Sequence, residues 1–580
     1  MIKIKNLAFE YFERDEEGYL TEMINAIRGI NFNVKKGDFV AIAGKNGSGK
    51  STFAKILNRL LAPIEGTVII GGLDAMDAEN TIPIRKMVGM VFQNPDDQLV
   101  GSVVSEDIAF GAENIGVPQK ELLPRVVEVS GLLGLEGKLG TRLNNLSGGE
   151  RQKVAIAGVL AMKPECIVLD ESTSMLDPKS RREILDIIFD LNKKHGITVI
   201  MISHLMDELA YADVVYVMSK GKMVLKGRPV DIFTEREKLL EVGLDIPEIV
   251  DISNRLFDFR VLRKNGFLHV EQLADELKNE YSHRFYTDTN MQLVQSSVNK
   301  INPTSAIMVN GVSFSYGKDK FIDNLSIGVQ KGEFVAVMGS TGAGKSTLLQ
   351  LIAGLIKPKV GEIYVDGLNI WDKTTDIKFL RRKIGYVFQY PEHQLFAENV
   401  YEDVVFGPRN IGISEIEAEK RAYESIKLVG LSDDVYDMPI SRLSGGQKRL
   451  VALAGVLAMK PEYLILDEPL AGLDPKGKAE FLNIINILHK EAGITILMVS
   501  HDASSVAKYA DRIIYLEKGK ALFAGETEKT FYNMFEHDNG TEQLPVIMQL
   551  LILLRKKGLP VDCLNADIEG GVTEIIRAIR

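Results

Sequence analysis

The chain has 580 residues. That is too many for one compact core, and at about 100–200 residues per domain several domains are expected. Apolar residues make up 45% and charged residues 26%, which excludes a fibrous or largely disordered chain. The net charge of −10 argues against a nucleic-acid partner held by phosphate neutralisation. Cys166 and Cys563 build neither a disulfide scaffold nor a four-cysteine zinc site, so a reducing compartment is expected.

The first residues, MIKIKNLAFEYFERDEEG, carry charges every few positions and do not read as a signal peptide. FVAIAG at 39–44 reads as a buried strand leading into the glycine-rich GKNGSGKST at 44–52. VFQNPDDQL follows at 91–99, LSGGE at 146–150, and the strand CIVLDE at 166–171. RREILDIIFDLNKKH at 181–195 has helical spacing, and ITVIMISH at 197–204 reads as another buried strand. After Lys222 helical spacing takes over, and 281–305 is polar and aperiodic, which suits a linker.

The same order then returns. GSTGAGKST lies at 339–347, VFQYPEHQL at 387–395, LSGGQ at 443–447 and VALAGVLAMKPE at 451–462, the last differing from 154–165 at one position in twelve. The offset grows only from 295 to 297, so the chain is two copies of one design. The main length difference is early. Tyr11 to Lys50 spans 39 residues and Tyr316 to Lys345 spans 29, which predicts a longer hairpin loop around 13–22. The alternation of strands and helices predicts an α/β fold, two tandem P-loop domains each with a mostly parallel sheet, a helical subdomain and a small helical C-terminal extension. The expected divisions are 1–228 and 229–280 (domain and extension), 281–305 (linker), 306–525 and 526–580 (domain and extension). The longest apolar run, PVIMQLLILL at 545–554, is about half the ~20 residues a membrane-spanning helix needs. No direct membrane insertion is expected, and a membrane role must come through a partner.

GxxxxGK[ST] brings backbone N–H groups against phosphates, so side chains at Gly47, Gly49, Gly342 and Gly344 would obstruct the loop or strain φ. Lys50 and Lys345 would reach the β/γ-phosphates of ATP, and Ser51 and Ser346 would ligate Mg2+. The helix that follows adds about half an elementary charge at its N-terminus. Asp170–Glu171 and Asp467–Glu468 close apolar strands, with each Asp suited to Mg2+ and each Glu to the attacking water. In both copies the Asp lies 23 residues after the serine of LSGG, and Ser147 and Ser444 sit where a helix N-cap is expected.

This set is similar to the ATP-binding-cassette ATPase family, with the resemblance running through essentially all of both copies. It implies an intramolecular cassette dimer with two composite ATP sites. One would take Gly44, Asn46, Gly47, Ser48, Gly49, Lys50, Ser51, Thr52, Gln93, Asp170, Glu171 and His204 with Ser444, Gly445 and Gly446. The other would take Gly339, Thr341, Gly342, Ala343, Gly344, Lys345, Ser346, Thr347, Gln389, Asp467, Glu468 and His501 with Ser147, Gly148 and Gly149. By the same resemblance Gln93 and Gln389 sense Mg2+ and water, His204 and His501 meet the γ-phosphate, Asp177 and Asp474 belong to the loop that crosses the dimer, and Tyr11 and Tyr316 stack on adenine.

FQNPDDQL and FQYPEHQL, the divergent DESTSMLDP and DEPLAGLDP, and the helical tails resemble the two ATPase subunits of energy-coupling factor importers, fused. This implies a transmembrane coupling subunit, small substrate-binding membrane subunits, a vitamin or transition-metal cargo, and a position on the cytoplasmic face of the membrane. The stretches 94–98 and 390–394 would lie near the groove that receives coupling helices. A sugar-type importer ATPase shares the chemistry, but one impaired site is expected there, whereas both sites here are complete. A ribosome-associated twin cassette is expected to carry a basic linker. Residues 231–300 hold 9 Lys/Arg against 13 Asp/Glu, a net −4. A DNA-repair cassette protein would need zinc-binding cysteines that the chain lacks.

Overall fold

The computed structural model describes residues 1–14, 20–174, 176–285, 305–317, 319–373, 375–390, 393–538 and 540–580. The chain divides into two compact units, Met1–Leu273 and Ala274–Arg580. Most of the stretch expected as a linker, 286–304, lies outside the described residues.

Each unit holds two sheets, and the order is the same in both. In the first unit the six-stranded sheet runs Lys222–Gly227, Val214–Ser219, Phe39–Ala43, Thr198–Ser203, Cys166–Asp170, Val88–Val91. Every neighbouring pair is parallel except the edge strand Lys222–Gly227. The inner strands Phe39–Ala43 and Cys166–Asp170 are buried at every position. Helices covering both faces of a parallel sheet require such unbroken apolar runs. The second sheet is antiparallel: Leu20–Val34, Ile2–Arg14, Glu65–Ile70, Leu73–Asp74. The apolar core lies between the two sheets around the helix Lys50–Leu57. There Phe32 meets Phe53 edge-on at 5.1 Å and Tyr216 at 4.7 Å.

The expected longer loop in the first copy is partly ladder. The hairpin strands there have 13 and 15 residues against 10 and 11 in the second copy, with Glu13 opposite Glu22. Residues 15–19 of that stretch lie outside the described residues. The inserted residues prolong antiparallel pairing because each added pair closes further backbone hydrogen bonds.

Register is what builds the site. Ala43 pairs with Ser203 and Asp170 with Ile202, so the carboxyl ends of three adjacent strands line up. In the second unit Val337 and Asp467 both pair with Val499. The crevice outside the carboxyl ends of parallel strands is where such folds bind ligands. A helical layer of Val104–Asn114, Gln119–Leu133 and Gly148–Ala161 packs together beside the first sheet, and Val400–Asn410, Glu415–Leu428 and Gly445–Leu457 form its counterpart.

The tails are helical. Pro247 and Pro545 stand at corresponding N-caps of Glu248–Asp258 and Val546–Lys556. The longest apolar run therefore becomes an eleven-residue helix with Ile547, Met548, Leu550, Leu551, Ile552 and Leu554 buried. Among the described residues no helix is long and apolar enough to cross a membrane.

Candidate functional site

The glycine-rich loops leave the strands Phe39–Ala43 and Phe334–Gly339 and enter the helices Lys50–Leu57 and Lys345–Ile352. Gly49 and Gly344 are the helix N-caps, with φ of 101° and 97°. A Cβ on Gly49 would stand 2.6 Å from the Ala26 carbonyl oxygen, and one on Gly344 2.5 Å from that of Phe321. At Gly47 and Gly342 a Cβ meets nothing within 4 Å, so only the left-handed backbone (φ +75° and +80°) calls for glycine there, not crowding. Asn46 and Thr341 are exposed on the loop, while Ala343 and Ser48 are buried. The Ser48 hydroxyl is buried with no hydrogen-bond partner among the described residues.

Lys50 folds back into its own loop. Its Nζ donates to the carbonyls of Gly44 (2.7 Å) and Lys45 (3.0 Å) and lies 3.1 Å from Glu171 Oε1. Lys345 donates to Gly339 (2.8 Å) and Ser340 (3.0 Å) in the same way. The Ser51 hydroxyl donates to Asp170 Oδ1 at 3.2 Å and Ser346 to Asp467 Oδ1 at 3.0 Å. Thr52 accepts or donates a 3.2 Å bond with the Tyr11 hydroxyl, and Thr347 is buried. A serine hydroxyl bonded to a buried carboxylate beside a lysine is the donor set a hard divalent cation and its phosphate use.

Glu171 and Glu468 follow directly, both in the left-handed backbone region with φ of 50° and 47°. Their amides donate to the carbonyls of Ile202 (3.0 Å) and Val499 (3.2 Å), which hold them in this unfavourable conformation. The kink turns each carboxylate away from the strand. Glu171 Oε2 accepts from Gln93 Nε2 at 3.3 Å and lies 3.1 Å from His204 Nδ1. Glu468 accepts from Gln389 Nε2 at 3.1 Å, and His501 Nε2 lies 3.1 Å from its Oε1. Burial pushes Glu171 up, but the hydrogen bond and charge of His204 and the charge of Lys50 outweigh it and hold the carboxyl down, to about 2. Burial pushes Asp170 up to about 6 against the Ser51 hydrogen bond, and the Glu171 charge adds to the rise. Asp467 is raised as well, again chiefly by burial.

Ser147 and Ser444 cap the helices Gly148–Ala161 and Gly445–Leu457 through reciprocal bonds with Glu150 and Gln447. Gly148, Gly445 and the two serines lie on the exposed side, and a Cβ at Gly148 or Gly445 meets nothing within 4 Å. Gly149 is buried beside Ser180, and Gly446 lies near Leu473. These residues stand on the helical layer, on an element separate from the loop, carboxylates and histidine that the sheet gathers in the same unit. Asp177 and Asp474 are N-caps of Pro178–His195 and Pro475–Lys490. Tyr316 is 47% exposed at the end of its strand, with an aromatic edge against Phe314 and Phe321.

Three residues stand out here that motif reading passed over. Tyr386 donates to Asp467 Oδ2 at 3.1 Å, and its counterpart in the first copy is Met90, which has no hydroxyl to donate. Lys138 pairs with Glu150, the acid that replaces glutamine in the first LSGG segment. Arg449, buried in the helix Gly445–Leu457, donates to the carbonyls of Gln389, Pro469 and Ala471. Aligning the two copies against each other exposes all three as differences, though not their partners.

A family model described as ABC transporter matches residues 27–174 and 322–471. Over 574 residues the chain is 35% identical to a Methanosarcina mazei protein provisionally named an ABC transporter ATP-binding protein, covering 97% of this chain and 95% of that one. It is 32% identical over 545 residues to another of that description from Caldanaerobacter subterraneus subsp. tengcongensis, covering 91% and 92%. It is also 32% identical over 541 residues to a Bacillus subtilis protein provisionally named HMP/thiamine import ATP-binding protein YkoD, covering 92% of each.

Proposed function

We propose, from the fact that this chain belongs to the ABC transporter family, that it is the fused pair of ATPases driving an importer of the energy-coupling factor type. Its activity is that of the family, ATP hydrolysis coupled to transport. The observation that carries the finer reading is duplication of a complete set: each copy presents lysine, serine, aspartate, glutamate, glutamine and histidine at the carboxyl ends of its strands. That favours two working sites over one working and one impaired. The segments FQNPDDQL and FQYPEHQL, the helical tails and the import named for the Bacillus subtilis relative all support a small-molecule importer with membrane partners. In this reading the chain sits peripherally on the cytoplasmic face, and a transmembrane coupling subunit and small substrate-binding membrane subunits are its partners.

The residues divide the work as follows. Lys50 and Lys345 exchange loop carbonyls for phosphate oxygens, while the loop amides donate to the same anion. Ser51 with Asp170 and Gln93, and Ser346 with Asp467 and Gln389, would hold Mg2+, which would supply neutralisation of charge on the transferring phosphoryl group. Glu171 and Glu468 accept hydrogen bonds from water and orient it towards the γ-phosphorus. When Lys50 turns to phosphate, a positive charge leaves Glu171, so its proton affinity rises as the nucleotide arrives. His204 and His501 hold the glutamates. Residues 44–52 with Ser444, Gly445 and Gly446, and residues 339–347 with Ser147, Gly148 and Gly149, are the two composite sites of this reading.

Gentle detergent extraction and purification through this chain tests it. An integral membrane coupling protein with small integral membrane proteins is the expected yield; ribosomes, or no membrane protein, overturns the importer reading.

A further inference from the structure

We propose that Arg449 is a positioning residue that ties the LSGGQ helix of the second copy to that copy's hydrolytic loops, and that the first copy lacks this tie. The inference rests on the reading that Gln389 and Glu468 serve hydrolysis. Arg449 lies within the helix Gly445–Leu457, five residues after the capping Ser444. Its guanidinium reaches back to three carbonyls, that of Gln389 (3.2 Å) and those of Pro469 and Ala471 (2.7 Å for the latter), which follow Glu468 directly. Arginine suits this place because its planar fork offers five donors, stays charged at any working pH and matches several carbonyls at once.

The first copy is built differently at each of these points. The residue matching Arg449 is Gln152, which is fully buried, and neither its Oε1 nor its Nε2 has a partner among the described residues. The loop after Glu171 is instead braced by Arg181, from the helix Pro178–His195, which donates to the carbonyls of Thr173 (3.4 Å) and Leu176 (3.2 Å). The residue matching Arg181 in the second copy is Lys478, and it turns away to Asp502 at 2.8 Å. Both copies join their glutamine segment to the helix through Gln98 to Ala155 and Gln394 to Ala452. What differs is the origin of the arginine holding the loop after the glutamate: the following helix in the first copy, the LSGGQ helix in the second.

A displacement of the LSGGQ helix start therefore reaches the loop after Glu468 directly through the Arg449 side chain, whereas in the first copy the route runs through a second helix, from Lys153 to Glu183 (2.8 Å) on the helix Pro178–His195 that carries Arg181. A contiguous bonded element is a physical route for such coupling, and here the guanidinium supplies it.

The test uses the full chain carrying Glu171→Gln, so that turnover reports Glu468. Adding Arg449→Gln is expected to lower kcat on the order of ten- to a hundred-fold with KM for ATP changed less than about two-fold, the mark of misplaced catalytic groups around intact binding. Amide exchange in 444–447 and 468–473 is expected to rise together. Arg449→Gln with Lys478→Arg transplants the first copy's brace; it is expected to restore protection of 468–473 without restoring kcat. Unchanged kcat in Arg449→Gln, a rise in KM alone, or full recovery of kcat on adding Lys478→Arg would each overturn the proposal. Should Arg449→Gln fail to fold, Arg449→Lys, which keeps the charge but loses the fork, carries the same comparison. Turnover surviving in Glu171→Gln/Glu468→Gln would instead overturn the assignment of the glutamates, whatever Arg449 does.

Discussion

Lys50 Nζ and Glu171 Oε1 form a buried ion pair at 3.1 Å, with the two side chains 4% and 9% exposed. In the proposed reading, the phosphate-binding cation is thus already engaged by the water-orienting anion of its own unit. Glu171→Gln removes that competitor while keeping the side chain's shape. ATP binding at the first loop is expected to hold or tighten while turnover at that glutamate falls on the order of 10²–10⁴. Equilibrium binding of ATP alongside steady-state turnover checks both halves, and weakened binding would show that the pair assists the phosphate site.

The glycines of the two motif classes are expected to respond in opposite ways. Gly49→Ala meets the Ala26 carbonyl at 2.6 Å in left-handed backbone, so a loss of about 1–3 kcal/mol of stability is expected together with loss of nucleotide binding. Gly148→Ala faces open space, and its stability should stay within about 0.5 kcal/mol of the parent while turnover drops. Thermal unfolding measured beside ATP turnover separates them.

Tyr386→Phe removes one of the hydrogen bonds that orient Asp467. Bonds to charged groups contribute about 1.5–3 kcal/mol. Loss of even part of that through a freer carboxylate should raise the Mg2+ needed for half-maximal turnover about ten-fold. The Mg2+ titration is best read in a Glu171→Gln chain, and an unchanged midpoint would leave the tyrosine without a part in metal binding.

Asp170 carries a pH prediction. Its carboxyl is raised from 3.8 to about 6 by burial, so the folded chain holds its proton more tightly than the unfolded chain does. Stability therefore declines as pH rises from about 3.8 through about 6 and stays lower above that. In chelator and without nucleotide, Asp170→Asn should raise Tm at pH 7, and the gain should shrink towards pH 4. A gain independent of pH would point to packing rather than charge.

Much of this architecture was legible from residues alone, because a parallel sheet between helices needs unbroken apolar strands and the phosphate loop needs glycines in fixed places. The doubled GKNGSGKST and GSTGAGKST, with LSGGE and LSGGQ, carried the family. Other features were opaque for physical reasons. The left-handed backbone at Glu171 and Glu468 has no signature in residue type. The partners of Arg449 are main-chain carbonyls 20 to 60 residues away, and carbonyls look alike in any sequence. The acidic stretch at 13–22 reads as a longer hairpin loop, yet Glu13 pairs with Glu22 and Arg14 with Leu20 through the backbone, which carries no mark in residue type.

The backbone kink at Glu171 and Glu468 makes each carboxylate a spring-loaded part. Its seat rests in part on an amide pinned to a neighbouring strand, at Ile202 and Val499, beside the glutamine and histidine that hold its oxygens. In the proposed reading, the margin of the sheet thereby shares in placing the acid that hydrolysis needs.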